Sequence, residues 1–211
     1  RLLLYDQHGH GDTLQMARYA ALCAERGAQV TLMVRASMIP LLGSLRGVDR
    51  LVAIGGPLPE FDLQERLLDL PALFRHTPET VPAEVPYVFA ESERRERIAA
   101  RFAHLPRPWI GLAWRGNLRQ KDGLVRSCEA SDLAPFSTLS GTRFSLQLDA
   151  DAAELDALHA HAIPGLDRDG AFRDSAALIA NLDLVLSIDT SIAHLAGALG
   201  ARVLLLLPYW S

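Results

Sequence analysis

Residues 182–207 read LDLVLSIDTSIAHLAGALGARVLLLL, and this stretch decides the predicted fold. The apolar run that begins at Leu182 and the run that begins at Val203 each have the length of a buried strand. The residues between them carry small apolar side chains at helical spacing. A strand, a helix and a second strand in this order predict a βαβ unit, and therefore a parallel sheet covered by helices.

The composition is that of an ordinary globular protein. The chain has 211 residues, of which 49% are hydrophobic and 22% charged, with a formal net charge of -4. This charge gives no general reason to bind nucleic acid or an anionic membrane, so an anionic ligand requires a local site. No apolar run approaches the ~20 residues of a membrane helix. We therefore expect a cytoplasmic location, and we expect the chain to be a piece of a longer protein because it begins without Met.

Short apolar runs alternate with amphipathic stretches along the whole chain. A first βα series fills residues 1–75, and a second begins at the apolar run WIGLAW, residues 109–114. A Pro-punctuated stretch and a strongly charged helical stretch separate the two series, with the boundary near 90–106. The sequence predicts an α/β protein with two Rossmann-like parallel-sheet domains, 1–100 and 106–211, that face each other across a cleft.

The corner that follows the run at Leu182 carries polar side chains, namely Asp189, Thr190, Ser191 and His194. In open parallel sheets, ligands bind beyond the carboxyl ends of the strands, where helix N-termini present unpaired N–H groups. Asp189 can accept from a sugar hydroxyl, and Thr190 and Ser191 can donate to a phosphate. The alternative is that Asp189 or Thr190 only caps the helix and that His194 bonds the backbone.

A second polar loop, residues 115–127, follows the run WIGLAW and contains four cations and two glycines. Lys121 is the only lysine of the chain. Its compact ammonium suits a diphosphate as a point charge, whereas Arg126 can bind two oxygens at once. The alternative is a solvated basic loop, but two polar loops in one parallel unit favour an anion site.

A third loop, residues 6–19, opens the first domain. Gly9 and Gly11 permit a close approach of the backbone, and Asp12 lies where a helix begins. Asp12 can act as a general base that faces the cleft, with His10 beside it, or it can be a simple helix cap. The sequence offers no convincing metal site, since the acidic pair at 149–151 is better explained as a helix cap and the histidines at 159–161 fall on different faces of a predicted helix.

Together the three loops resemble those of the glycosyltransferase family 9-like proteins, which are relatives of the heptosyltransferases. The catalytic region of these family 9-like proteins often lies C-terminal to tetratricopeptide repeats. The resemblance is carried by GHGDTLQMARY, GLAWRGN, KDGLVRS and above all by DSAALIANLDLVLSIDTSIAHLAGALG. It implies a GT-B-like fold, incomplete at the C-terminus, a nucleotide-diphosphate sugar as donor substrate with no cofactor, and metal-independent inverting transfer. It also implies a base at Asp12 and donor contacts at Asn117, Lys121, Arg126, Asp189, Thr190 and His194.

We therefore expect a glycosyltransferase of hexosyl or heptosyl type, whose acceptor is a hydroxyl of a glycan, a lipopolysaccharide or a protein. An attached tetratricopeptide-repeat domain is a possible partner. The alternative is a catalytically inactive transferase-like module that binds a nucleotide or a sugar. Gln7 favours this alternative, because tetratricopeptide-linked members carry Glu at that position. A nicotinamide-dependent dehydrogenase is disfavoured, because the glycine fingerprint is incomplete.

Overall fold

The computed structural model describes residues 1–117 and 123–209, which form two parallel β-sheets with helices packed on them. The first sheet has the order β3-β2-β1-β4, and the second has the order β7-β6-β5-β8-β9. All pairings within both sheets are parallel. The predicted α/β class with two Rossmann-like domains is confirmed.

The first domain contains four short strands. They are β1 (Leu2–Tyr5), β2 (Val30–Val34), β3 (Arg50–Ala53) and β4 (Leu63–Arg66). Its helices are α1 (His10–Met16), α2 (Tyr19–Glu25), α3 (Ile39–Leu42) and α4 (Leu70–Leu73), with 3₁₀ turns at Ala36–Met38 and Leu67–Asp69. The segment between β1 and β2 thus contains two short helices, α1 and α2, and not one continuous helix.

The charged helix α5 (Ser92–Phe102) precedes the strands of the second domain. Its strands are β5 (Trp109–Ala113), β6 (Thr142–Ser145), β7 (Ala160–His161), β8 (Leu184–Ile188) and β9 (Val203–Leu206). Its helices are α6 (Gly123–Arg126), α7 (Ala152–Ala157), α8 (Arg173–Ile179) and α9 (Ser191–Ala198), with a 3₁₀ helix at Ala130–Thr138. Every residue of β5 is buried, which explains its unbroken apolar sequence.

Helix α5 lies within the predicted boundary region, residues 90–106, and packs on the second domain. Phe102 makes edge contacts with Trp109 and Phe144 in the core of the second sheet. Glu91, just before α5, bonds Arg173 at 2.5 Å, and Arg94 is paired with Asp174 at the start of α8. The packing therefore places α5 with the second domain, whereas the exact limits of the two domains remain a prediction.

The two domains meet through α1 and α9, which pack against each other. Tyr87, in the Pro-rich segment before α5, bonds both helices away from their N-termini. The N–H group of Tyr87 donates to Ala198 O at 3.0 Å, and its hydroxyl donates to Leu14 O at 3.0 Å. The backbone N–H group and the side-chain hydroxyl of one residue thus bond α9 and α1.

Of two local predictions around α7, the one for the histidines is wrong and the one for the acidic pair is confirmed. The histidines at 159–161 do not lie on a helix: α7 ends at Ala157, His159 has a left-handed backbone (φ 47°), and His161 belongs to β7. The acidic pair before α7 caps that helix as predicted, because Asp151 accepts the Glu154 N–H group at 2.8 Å. Within the part of the chain that the structure describes, no helix has the length and apolarity needed to cross a membrane.

Candidate functional site

A cleft of about 860 Å³ lies between the two domains, at the carboxyl ends of both sheets. The first domain contributes the loop between β1 and α1, and the second contributes the loops after β5, β6 and β8. The predicted cleft is therefore present. Ten of the predicted site residues line it, which are Gly9, His10, Gly11, Asp12, Asn117, Arg126, Asp189, Thr190, Ser191 and His194.

The polar corner of residues 189–194 follows β8, whose last residues are buried. Thr190 is the N-cap of α9, because its hydroxyl accepts the Ile192 N–H group at 3.3 Å. The capping alternative therefore holds for Thr190 and not for Asp189, whose side chain is 39% exposed in the cleft. A helix start of this kind concentrates partial positive charge where Ser191 lines the cleft.

Of the cations in the described part of the second polar loop, Arg126 lies at this corner. It lies at the end of α6, and its Nη1 donates to the carbonyl oxygen of Asp189 at 3.3 Å and reaches Asp189 Oδ2 at 3.5 Å. Ser127 holds the loop by accepting the Gly116 N–H group at 3.0 Å, next to Asn117. Lys121 lies outside the described residues, so its predicted position is not tested.

Arg115, another cation of this loop, has a structural partner. Its guanidinium makes a two-pronged ion pair with Glu154 at the start of α7, and Trp114 Nε1 donates to the same carboxylate at 3.2 Å. The hydrogen bond from Arg115 lowers the pKa of Glu154 to about 2. Arg115 therefore fixes the wall of the cleft.

Asp12 lies in the first turn of α1, on the opposite side of the cleft. Gly9 is the residue before that helix, and its N–H group donates to Asp12 Oδ2 at 2.9 Å. Asp12 is therefore not the N-cap itself. One carboxylate oxygen holds the loop, and the side chain lines the cleft.

Arg35 orders the same loop and was not singled out from the sequence. It follows β2, donates from Nη1 to the buried carboxylate of Asp6 at 2.9 Å and from Nη2 to His8 O at 2.6 Å. The sequence could have indicated a site role for Arg35, because it directly follows a predicted strand and so lies at the carboxyl end of a parallel sheet.

His194 stands between the two halves of the cleft. Its Nε2 lies 3.6 Å from Asp189 Oδ1, and a Cβ built on Gly11 would lie 2.7 Å from its Cδ2. Burial lowers the pKa of His194, while the carboxylates of Asp189 and Asp12 oppose this shift. The imidazole thus lies within electrostatic range of one carboxylate from each domain.

The segment before α8 forms another wall that the sequence did not predict. Asp167 is 6% exposed, and its Oδ1 accepts the Asp174 N–H group at 2.8 Å. Burial raises the pKa of Asp167, which the hydrogen bonds from Ser175 and Asp174 partly oppose. Phe172 is the residue directly before α8, and its ring centroid lies 5.3 Å from that of His10 across the cleft. Among residues 1–117 and 123–209, no group of three or more His, Cys, Asp or Glu side chains could hold a metal ion.

Comparison with solved structures gives matches over almost the whole chain. ADP-heptose lipopolysaccharide heptosyltransferase II of E. coli covers 97% of this chain and 84% of its own, with a TM-score of 0.65 and 14% identity. The glycosyl transferase family 9 structure from Veillonella parvula covers 99% and 82%, with a TM-score of 0.68 and 9% identity. The chain has the fold of the heptosyltransferases.

The E. coli heptosyltransferase WaaC, solved with ADP-2-deoxy-2-fluoro heptose, also has a similar fold. The match covers 97% of this chain and 88% of WaaC, with a TM-score of 0.57 and 12% identity. No protein-family model and no curated protein sequence matches the chain. The predicted resemblance to family 9 and the GT-B-like architecture are confirmed at the level of the fold. The predicted roles of the site residues remain predictions.

Proposed function

We propose that the protein transfers a sugar from a nucleotide-diphosphate donor to an acceptor hydroxyl on a glycan, a lipopolysaccharide or a protein. One observation carries this proposal: Asp12 of the first domain and the Asp189 to His194 corner of the second line one cleft. Gly11 and His194 bring the two sides into contact. A base on one side and an anion-binding helix start on the other are the two halves that such a transfer requires.

The donor diphosphate belongs on the side of α9. The N-terminus of a helix favours negative charge, and Arg126 adds a full positive charge beside it. Ser191 and Asn117 line the same wall and can bond the donor, and Asp189 can accept from a sugar hydroxyl. We also assign Lys121 to the diphosphate, on the strength of its place in the loop sequence alone. These groups would stabilise the departing diphosphate without a metal ion.

The acceptor belongs on the side of α1. Asp12 would take the proton of the acceptor hydroxyl as its oxygen forms a bond to the anomeric carbon. The bond from that carbon to the diphosphate breaks on the opposite face, so the configuration inverts. The electron pair leaves with the diphosphate, where Arg126 and the start of α9 receive the charge.

A hexosyl or heptosyl donor is the preferred class, in line with the names of the structural relatives. A panel of nucleotides and nucleotide sugars, screened by thermal shift, would identify the donor. A ligand present at 100 times its Kd stabilises the folded state by about 2.7 kcal/mol.

The decisive experiment replaces Asp12 by Asn, which keeps the shape and can still accept the Gly9 N–H group. We expect D12N to lose sugar transfer and to retain nucleotide binding. Asp156→Asn, an exposed carboxylate of α7 outside the cleft, is the matched control and should leave both unchanged. Full transfer by D12N would refute the base assignment, and a wild-type protein that binds nucleotide sugars without transfer or hydrolysis would contradict the proposed function.

A further inference from the structure

Two aromatic rings from different domains contact each other across the cleft. His10 opens α1, and Phe172 precedes α8. Their centroids are 5.3 Å apart, and the rings are tilted by 55°. Because the rings are tilted and both line the cleft, they form an aromatic corner instead of a closed stack.

The backbone of Phe172 is strained. Its φ of 56° lies in the left-handed region, which a bulky residue rarely adopts. A glycine would adopt this conformation without cost, so the ring occupies a position that local backbone geometry disfavours. Strain of this kind is maintained only when the surrounding structure imposes it, and it is often found at functional sites.

The surroundings of Phe172 do impose it. Residues 165–172 contain four left-handed residues, with φ values of 82° at Gly165, 44° at Asp167, 66° at Gly170 and 56° at Phe172. The buried carboxylate of Asp167 anchors this segment on the Asp174 and Ser175 N–H groups, at 2.8 and 3.2 Å. The segment therefore presents the ring from a fixed frame.

His10 offers different chemistry from Phe172. Burial lowers the pKa of His10, and the charge of Arg35 lowers it further while Asp6 opposes this shift. The ring is therefore mainly neutral at pH 7, with one N–H donor and one nitrogen acceptor. An aromatic face beside a hydrogen-bonding nitrogen suits a ligand that has both apolar C–H groups and hydroxyls.

The aromatic corner lies next to Asp12. His10 and Asp12 occupy the same first turn of α1, so their Cα atoms are separated by little more than half a turn, about 3 Å along the helix axis. The side chains of His10, Asp12 and Phe172 all line the cleft, so a ring held by His10 and Phe172 shares this space with the carboxylate.

We propose that His10 and Phe172 form an acceptor subsite for a pyranose ring, whose C–H face packs on Phe172 and whose hydroxyl bonds His10. This inference rests on the proposed function and makes it more specific, because it selects a saccharide as the acceptor. Phe172 supplies contact area, and His10 sets the orientation that brings another hydroxyl of the ring to Asp12.

The test uses methyl α-D-glucopyranoside, galactopyranoside and mannopyranoside as probes, with binding followed by saturation-transfer NMR in the presence of the nucleotide that the thermal-shift panel selects. We expect the wild-type protein to bind at least one of them. Phe172→Gly removes the ring and the backbone strain together, so it should weaken saccharide binding at least tenfold and retain nucleotide binding. Phe172→Tyr keeps the ring and should restore saccharide binding.

The matched control is Arg75→Gly. Arg75 also has a left-handed backbone (φ 57°), but it is exposed and lies outside the cleft, so this change should relieve strain without an effect on the saccharide. Unchanged saccharide binding by F172G, or failure of the wild-type protein to bind any of the three glycosides, would overturn the proposal. Loss of binding by F172G together with full transfer by D12N would leave the subsite standing and refute only the base.

Discussion

Gly11 of the first domain and His194 of the second are packed so closely that there is no room for a methyl group between them. A Cβ on Gly11 would lie 2.7 Å from His194 Cδ2 and 3.3 Å from Nε2. A separation under 3 Å between carbon atoms is a steric overlap, so either the imidazole or the two helices must move.

Gly11→Ala should therefore disturb both stability and transfer. We expect the free energy of unfolding to fall by about 1–3 kcal/mol, the usual result of overpacking, with a parallel loss of sugar transfer as Asp12 and Asp189 are displaced relative to each other. Chemical denaturation and a transfer assay measure the two effects. Gly197→Ala is the control: Gly197 lies within α9 with open space around it, so alanine should stabilise that helix by about 0.5–1 kcal/mol. Equal stability of the two variants would show that the contact is loose.

Arg126→Gln should weaken binding of a nucleoside diphosphate. A hydrogen bond to a charged group contributes about 1.5–3 kcal/mol, which corresponds to a loss of about 10- to 150-fold in affinity. Calorimetric titration with the nucleoside diphosphate measures the change. Arg95→Gln removes an exposed cation of α5 outside the cleft and has the same effect on net charge. If R95Q weakened binding as much as R126Q, the effect would come from net charge and not from the cleft.

The pH dependence of stability should reflect His10 and His194. Burial is the main cause that lowers the pKa of both from the ordinary value of 6.5, so the unfolded chain binds more protons than the folded one just below that pH. The free energy of unfolding should therefore fall as the pH drops from 7 towards 5.5, by less than about 1.4 kcal/mol per pH unit for each histidine. The double variant H10N/H194N should show a shallower slope in denaturation experiments over this range. An unchanged slope would assign the effect to other groups.

The sequence predicted the elements that depend on local pattern. Strand β5 is an unbroken apolar run, and β8 is apolar except for Ser187. The polar corner at Asp189 comes directly after β8, so both the strand and the position of its loop follow from the spacing. The short strand β7 was missed because the sequence up to His161 was interpreted as a continuation of the helix that contains α7. The left-handed backbone of His159 interrupts the helix, and nothing in the amino-acid sequence indicates this conformation.

The features that were missed depend on residues far apart in the chain. Arg115 and Arg126 look alike in one basic loop, but Arg115 is paired with Glu154, 39 residues later, and only Arg126 reaches the corner. The contact between His10 and Phe172 likewise needs the relative placement of the two domains, which no local pattern contains.

Glu154→Gln tests the structural role of that ion pair. At neutral pH the variant should be less stable by about 1.5–3 kcal/mol, because Arg115, whose side chain is only 19% exposed, loses the nearer of two charged partners and keeps the 3.4 Å ion pair with Asp149. Since the partner lowers the pKa of Glu154 from 4.5 to about 2, the stabilisation is present above pH 4.5 and is lost as the pH falls towards 2. The difference between wild type and E154Q should therefore shrink when denaturation is repeated at pH 3. Glu96→Gln, an exposed carboxylate of α5, should change stability by less than about 0.5 kcal/mol. A difference that stays constant from pH 7 to pH 3 would show that the lost shape, and not the lost charge, destabilises the variant.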